Sequence, residues 1–220
     1  MKSREKTCTL IVYVIIFYAV WSVWEFVFKP MIDDSMDNQY IAQLIKSGVI
    51  KNLVWTVPAI LLVRHFSSEV HIGLKEMFSP KTNWLGALPY FAVFTVIILG
   101  NSFIIHKTIA ISDKCEPHVL LGYLFVGLTE EMVFRGWLLN ATYREDKKWL
   151  AIGVNSVMFL MIHFPRWIHE GIFVNNILSL GFVFVIALSF VFSYTFLKNR
   201  NILIPIALHM YWDILSELFK

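Results

Sequence analysis

Residues 127–137 read GLTEEMVFRGW and lie inside an apolar segment that runs from His118 to Asn140. The stretch carries three ionisable side chains, Glu130, Glu131 and Arg135. At the centre of a bilayer each of these groups costs about 2.5 to 3.5 kcal/mol, or roughly 8 to 10 kcal/mol together. Glu131 and Arg135 stand four residues apart and can form an ion pair, whereas Glu130 projects about 100° away with no partner on its own helix. An intramembrane carboxylate of this kind is a candidate functional group.

The chain as a whole is apolar enough to lie in a membrane. Of its 220 residues, 57% are hydrophobic and only 16% are charged, which is too apolar for a water-soluble domain. A helix needs about 20 apolar residues to cross a bilayer core of about 30 Å. The sequence therefore predicts an all-α, polytopic membrane bundle of about seven transmembrane helices, with six to eight compatible. We place the spans at residues 7–28, 52–63, 84–105, 118–140, 149–164, 173–197 and 201–219.

The polar residues between the spans predict the topology. We expect residues 31–48 to form an extramembrane loop, and Lys51 to reach an interface at the start of the short second span. Lys and Arg, counted from Lys2 to Lys220, are more frequent on the side of the N-terminus, so the N-terminus is predicted to be cytoplasmic. The net charge is only +3 and the basic residues are scattered, which argues against a nucleic-acid partner.

Two later spans carry further polar groups: His163 in the fifth, and His209 and Asp213 one turn apart in the last. At 1.5 Å per residue, Glu130, His163 and His209 lie about 15, 21 and 12 Å from the ends of their spans on the side of the N-terminus. The four side chains can therefore share a plane near the middle of the bilayer. Two carboxylates and two imidazoles at a common depth form a site that can activate water, with or without a metal.

Three motifs in this order resemble those of a known family. They are Glu-Glu-x-x-x-Arg at 130–135, Phe-x-x-x-His at 159–163 and His-x-x-x-Asp at 209–213, together with Phe-Arg-Gly at 134–136 and Asn-x-x-x-Pro at 201–205. Each motif alone is weak, but the ordered set is specific. It is similar to the CPBP family of intramembrane proteases, which includes the type II CAAX prenyl proteases and the bacterial Abi, or bacteriocin-immunity, proteins. The resemblance covers about residues 118–215; the first three helices resemble the family only in being hydrophobic.

This resemblance implies an intramembrane endopeptidase, with residues 1–117 as N-terminal helices and loops and residues 118–220 as the catalytic core of one membrane domain. Carried over by motif position, Glu130 is the expected general base that takes a proton from water, assisted by His163. His209 and Asp213 are expected to stabilise the oxyanion or hold the water.

The motifs leave two alternatives for the use of a metal in the reaction. One alternative is a metalloprotease in which a divalent metal, most simply zinc, is held by His163 and His209, with Asp213 as a further ligand or as the group that orients His209. The other is a metal-free glutamate protease, which the lack of a His-Glu-x-x-His motif favours. In both alternatives Glu131 and Arg135 are a supporting ion pair.

The resemblance also implies the partners: the lipid bilayer and a peptide or membrane-protein substrate, prenylated or secreted, that enters between helices from the cytoplasmic side. Richness in Lys, Ile, Phe and Asn is typical of a compact bacterial member, so we expect an integral protein of a bacterial cell membrane. The oligomeric state is open. The alternatives are a non-catalytic membrane regulator or bacteriocin self-immunity protein, and an ion-coupled transporter, for which the repeated halves are missing.

Overall fold

The structure is a computed structural model that describes the backbone of residues 2–219 and the side chains of residues 4–219. The predicted domain limits at residues 1 and 220 lie outside this description. So do the side chains of Lys2 and Lys220, which enter the count of basic residues. The division of the chain at residue 117 stays a prediction.

Across residues 2–219 the secondary structure consists of nine helices and no strand, which confirms the all-α fold class. The helices are α1 (2–35), α2 (Gln39–His65), α3 (Leu74–Met77), α4 (Leu85–His106), α5 (117–142), α6 (Glu145–His169), α7 (Phe173–Leu178), α8 (Gly181–Asn199) and α9 (Leu203–Leu218). Five of them, α1, α2, α4, α6 and α8, are long and apolar enough to cross a membrane. The other two predicted spans also coincide with helices, but α5 carries the three ionisable groups and α9 has only 16 residues.

The predicted loop at residues 31–48 is wrong, because this segment is almost entirely helical. Helix α1 continues to Ser35, and only residues 36–38 separate it from α2. The Asn38 side chain caps α2, since its Oδ1 accepts hydrogen bonds from the backbone N–H groups of Tyr40 and Ile41 at 3.1 and 3.2 Å. As a consequence, Lys51 lies in the middle of α2 rather than at a membrane interface.

Consecutive long helices alternate in direction, so the bundle has two ends. At the N-terminal end, Lys6 donates a hydrogen bond to the carbonyl of Glu69, and the Asn140 amide bonds the backbone of Ile72. There Arg200 also pairs with Glu76, and this hydrogen bond lowers the pKa of the Glu76 carboxyl. The opposite end holds residues 36–38, 107–116 and 170–180.

Helix α5 runs through the centre of the bundle. Every residue from 129 to 141 is buried, whereas the outer helices present large apolar side chains such as Ile15 and Val96 to their surroundings. Phe134 and Trp137 of α5 pack in an aromatic cluster with Phe17 of α1. The three ionisable residues therefore occupy a helix segment that other helices shield from lipid.

A close approach of α5 to α9 brings the later motifs to the centre, and Gly127 permits it. A Cβ atom on Gly127 would lie 2.8 Å from the carbonyl oxygen of Ile206 and 2.6 Å from Cγ of Met210. Because the Ile206 backbone cannot move aside as a side chain does, we expect Gly127→Val to push the helices apart. The expected loss is about 1 to 3 kcal/mol of unfolding free energy, measured as a lower thermal-unfolding midpoint in detergent.

Gly153→Ala on α6 is the matched control for this prediction. A Cβ added at Gly153 meets nothing within 4 Å, and alanine is the better helix former. Its unfolding midpoint should therefore equal or slightly exceed that of the wild type. Equal midpoints for Gly127→Val and Gly153→Ala would show that the α5–α9 contact does not depend on the glycine.

Candidate active site

A cavity of about 440 Å³ lies between helices α1, α2, α5, α6 and α9. Glu130, His163, His209 and Asp213 all line it. The structure thus brings together the four residues that the sequence analysis selects as catalytic, although they come from three helices. Their individual roles stay predictions.

The cavity opens at the opposite end of the bundle from the N-terminus. Its outer wall is formed by Lys29 and Asp33 near the end of α1, by Gln39 and Lys46 near the start of α2, and by His118 at the start of α5. All of these helix ends lie at the opposite end. The expectation that substrate enters from the side of the N-terminus is therefore not supported by the shape of the cavity.

Glu130 has a charged partner that comes from a distant part of the chain. The Lys51 ammonium lies 3.2 Å from Glu130 Oε1, and both side chains are about nine-tenths buried. The same ammonium lies 4.8 Å from the ring centroid of Trp21 and 4.7 Å from that of Trp55. Sequence reasoning missed this contact, because Lys51 and Glu130 are 79 residues apart and no local pattern links them.

His209 is held by two aromatic rings and by a hydrogen bond at one nitrogen. Its Nδ1 lies 2.8 Å from Glu131 Oε1, and its ring stacks on Phe192 with centroids 4.9 Å apart, while Phe159 approaches edge-on. Since a carboxylate only accepts, Nδ1 is the donor, and Nε2 is the nitrogen that faces the cavity. The group that orients His209 is therefore Glu131, a contact that the sequence analysis did not anticipate.

The Nε2 atom of His209 lies between two carboxylates. Asp213 Oδ2 is 3.6 Å away and Glu130 Oε2 is 3.8 Å away. This confirms that His209 and Asp213 share one helix face. In this arrangement Oε2 of Glu130 faces His209, while Oε1 faces Lys51.

Behind the cavity, the predicted ion pair between Glu131 and Arg135 is confirmed. Arg135 Nη1 lies 3.0 Å from Glu131 Oε1, and both side chains are fully buried. The guanidinium also donates to Ser189 and Ser193 of α8 and lies over the ring of Phe159 at 4.6 Å. Arg135 is thus fixed on every side, and it holds the Glu131 carboxylate against His209.

His163 presents its Nε2 atom as the free nitrogen of its ring. Nδ1 lies 3.1 Å from the carbonyl oxygen of Phe159 in the preceding turn. A carbonyl accepts only, so Nδ1 carries the hydrogen and Nε2 of the neutral ring has a lone pair. In this form His163 can accept a proton or a hydrogen bond in the cavity.

The donor set fits a metal poorly. Among the described residues, no three His, Cys, Asp or Glu side chains are grouped as a metal site requires. In addition, the Lys51 ammonium already lies at Glu130 Oε1. We therefore derive no step through a metal, and zinc held by His163 and His209 stays a prediction.

Several helices of membrane-spanning length surround a cavity lined by Glu130, His163, His209 and Asp213. These features define a polytopic membrane protein with an acid–base site between its helices. A family model described as type II CAAX prenyl endopeptidase Rce1-like matches residues 116–215, a segment that contains all four predicted catalytic residues. Residues 116–215 are therefore similar to this protease family, and the long apolar helices indicate an integral membrane protein. No curated protein and no solved structure matches the chain.

Proposed function

We propose that the protein is a metal-free, glutamate-type intramembrane endopeptidase. The observation that carries this proposal is the convergence of Glu130, His163 and His209 on one buried cavity, with His209 held by Glu131 and Glu130 held by Lys51. Buried, prepositioned acid–base groups are what the hydrolysis of a peptide bond needs.

In the proposed reaction, Glu130 takes a proton from a water molecule that His163 Nε2 helps to position. The resulting hydroxide attacks the scissile carbonyl. His209 then donates from Nε2–H to the tetrahedral oxyanion, and the protonated Glu130 passes its proton to the leaving amine. Each step uses only groups that line the cavity.

The charges around His209 support its role as a hydrogen-bond donor. Glu130, Glu131 and Asp213 are three carboxylates, while Lys51 and Arg135 are two cations, so an imidazolium at His209 balances the site. An imidazolium has an N–H group at Nε2 as well as at Nδ1. In the proposed reaction this N–H donates to the oxyanion that forms in the cavity.

We further propose that the substrate is a secreted or membrane peptide that arrives from outside the cell. The excess of basic residues on the side of the N-terminus favours a cytoplasmic N-terminus. Because the cavity opens at the opposite end, its mouth then faces the cell exterior. Maturation of a secreted peptide and immunity to a bacteriocin in a bacterial membrane are both compatible with this arrangement.

The two native cysteines test this topology, since Cys8 is exposed near the N-terminal end and Cys115 is partly exposed at the mouth side. In intact cells, a membrane-impermeant maleimide should label the Cys8→Ser variant, through Cys115, but not the Cys115→Ser variant. After permeabilisation both variants should react. If only the Cys115→Ser variant were labelled in intact cells, the protein would have the opposite orientation. Cytoplasmic peptides would then be the expected substrates.

The proposed activity is tested with purified protein in liposomes and a panel of membrane peptides that includes secreted peptides and a farnesylated CAAX peptide. We expect cleavage that persists in a strong chelator. If the chelator abolished cleavage and zinc restored it, the metal-free mechanism would be wrong and the protein would be a metalloprotease. Failure of correctly folded protein to cleave any member of the panel would favour the non-catalytic regulator.

A further inference from the structure

Lys51 lies outside the segment that matches the family, yet it is in direct contact with the proposed general base. The match begins at residue 116, and Lys51 belongs to α2. Its ammonium is 3.2 Å from Glu130 Oε1 and lines the same cavity as His163 and His209.

The local backbone of α2 is unusual at this residue. π-helical turns cover Leu44–Ile50 and Asn52–Thr56, immediately before and after Lys51. The backbone N–H of Lys51 donates to the carbonyl of Lys46, five residues earlier. Such wide turns are rare and are often found at functional sites, because they change the direction in which a side chain projects.

An aromatic cage holds the ammonium group. Trp21 and Trp55 approach each other edge to face with centroids 4.6 Å apart, and both lie within 5 Å of Lys51 Nζ. The Trp21 indole N–H is itself fixed by a hydrogen bond of 2.7 Å to the carbonyl of Ile162. The two rings hold the cation beside Glu130.

We propose that Lys51 is a positioning residue for Glu130. Its ammonium binds Oε1 and turns Oε2 toward His209 and the cavity. The N-terminal helices thereby complete a site whose proposed catalytic residues all come from residues 116–215. This inference rests on the proposed function for its catalytic consequence, but the ion pair itself can be tested without any substrate.

The substrate-independent test uses dicyclohexylcarbodiimide, which reacts with protonated carboxyl groups in apolar surroundings. Modification of Glu130 is quantified by tandem mass spectrometry at pH 7 in wild type, Lys51→Met, Lys51→Gln and Lys51→Arg. The uncharged variants should show at least about tenfold more modification of Glu130, because the carboxylate has lost its neighbouring charge. Lys51→Arg should stay near the wild-type level. Using two uncharged variants allows for one that does not fold, as judged by its unfolding midpoint.

Lys46→Met is the matched control, since Lys46 lines the same cavity but pairs with Asp33 instead of Glu130. It should leave the modification of Glu130 unchanged. Equal modification in wild type and in a folded, uncharged Lys51 variant would overturn the proposal.

The kinetic test uses whichever panel peptide the wild-type protein cleaves. We expect Lys51→Met to lower kcat with little change in KM, and Lys51→Arg to recover most of the loss. If the uncharged Lys51 variants show the expected increase in carbodiimide modification of Glu130 but no peptide is cleaved, the proposed function fails while the ion pair stands. If Glu130→Gln abolishes cleavage but Lys51→Met changes neither the carbodiimide modification of Glu130 nor kcat, only the proposed role of Lys51 fails.

Discussion

Replacing Glu130 by Gln is expected to reduce kcat for peptide cleavage about a hundredfold to ten-thousandfold. The amide keeps the shape of the side chain and can still accept a hydrogen bond from Lys51, but it cannot take a proton from water. Because Lys51 keeps a neutral acceptor but loses its counter-ion, the unfolding midpoint should fall moderately, whereas catalysis is lost. Initial cleavage rates and thermal unfolding, measured on the same detergent preparation, separate these two effects.

Glu145→Gln is the matched control for this experiment. Glu145 is exposed at the N-terminal end, away from the cavity, and the same chemical change there should leave kcat at the wild-type level. Retention of full activity by Glu130→Gln would remove Glu130 from the mechanism and would leave His163 or Asp213 as the base to be tested next.

The fold class follows from the sequence because a bilayer imposes simple rules. Only helices and closed barrels satisfy every backbone polar group in lipid, and the apolar runs of this chain have helical length. The candidate site follows from the same rule. A polar group inside an apolar span is costly, so Glu130, His163, His209 and Asp213 could be selected with no structure.

The partners of those residues could not be predicted, because they come from other helices. Glu131 contacts His209 across 78 residues, and Lys51 contacts Glu130 across 79. Helical periodicity shows which residues share a face, but it carries no information on which faces meet. The pairing of Glu131 with Arg135, four residues apart, is the exception that a local pattern does predict.

The error at residues 31–48 has a different physical cause. Acidic and amide residues lower the hydropathy of this segment, and a hydropathy rule therefore assigns it to water. In the structure several of these polar side chains line the mouth of the cavity, as Asp33 and Gln39 do, and the helices continue around them. Polarity here indicates a cavity between helices rather than a loop outside the membrane.

Arg135→Met is expected to produce the largest loss of stability, because it leaves the Glu131 carboxylate buried without its cation. Both side chains have no exposed surface, and the guanidinium also bonds two serines of α8. Removing one partner of a buried pair costs about 3 to 5 kcal/mol. We expect poor expression and a much lower unfolding midpoint, measured by thermal unfolding in detergent.

Two further variants separate the cost of the unpaired charge from the loss of packing. Arg144→Met breaks an ion pair with Asp146 in which both side chains are more than half exposed, and such pairs contribute only about 0.2 to 1 kcal/mol. The double variant Glu131→Gln with Arg135→Met removes both buried charges, so it should be more stable than Arg135→Met alone. If Arg135→Met unfolds at the same temperature as Arg144→Met, the buried pair does not stabilise the centre of the bundle.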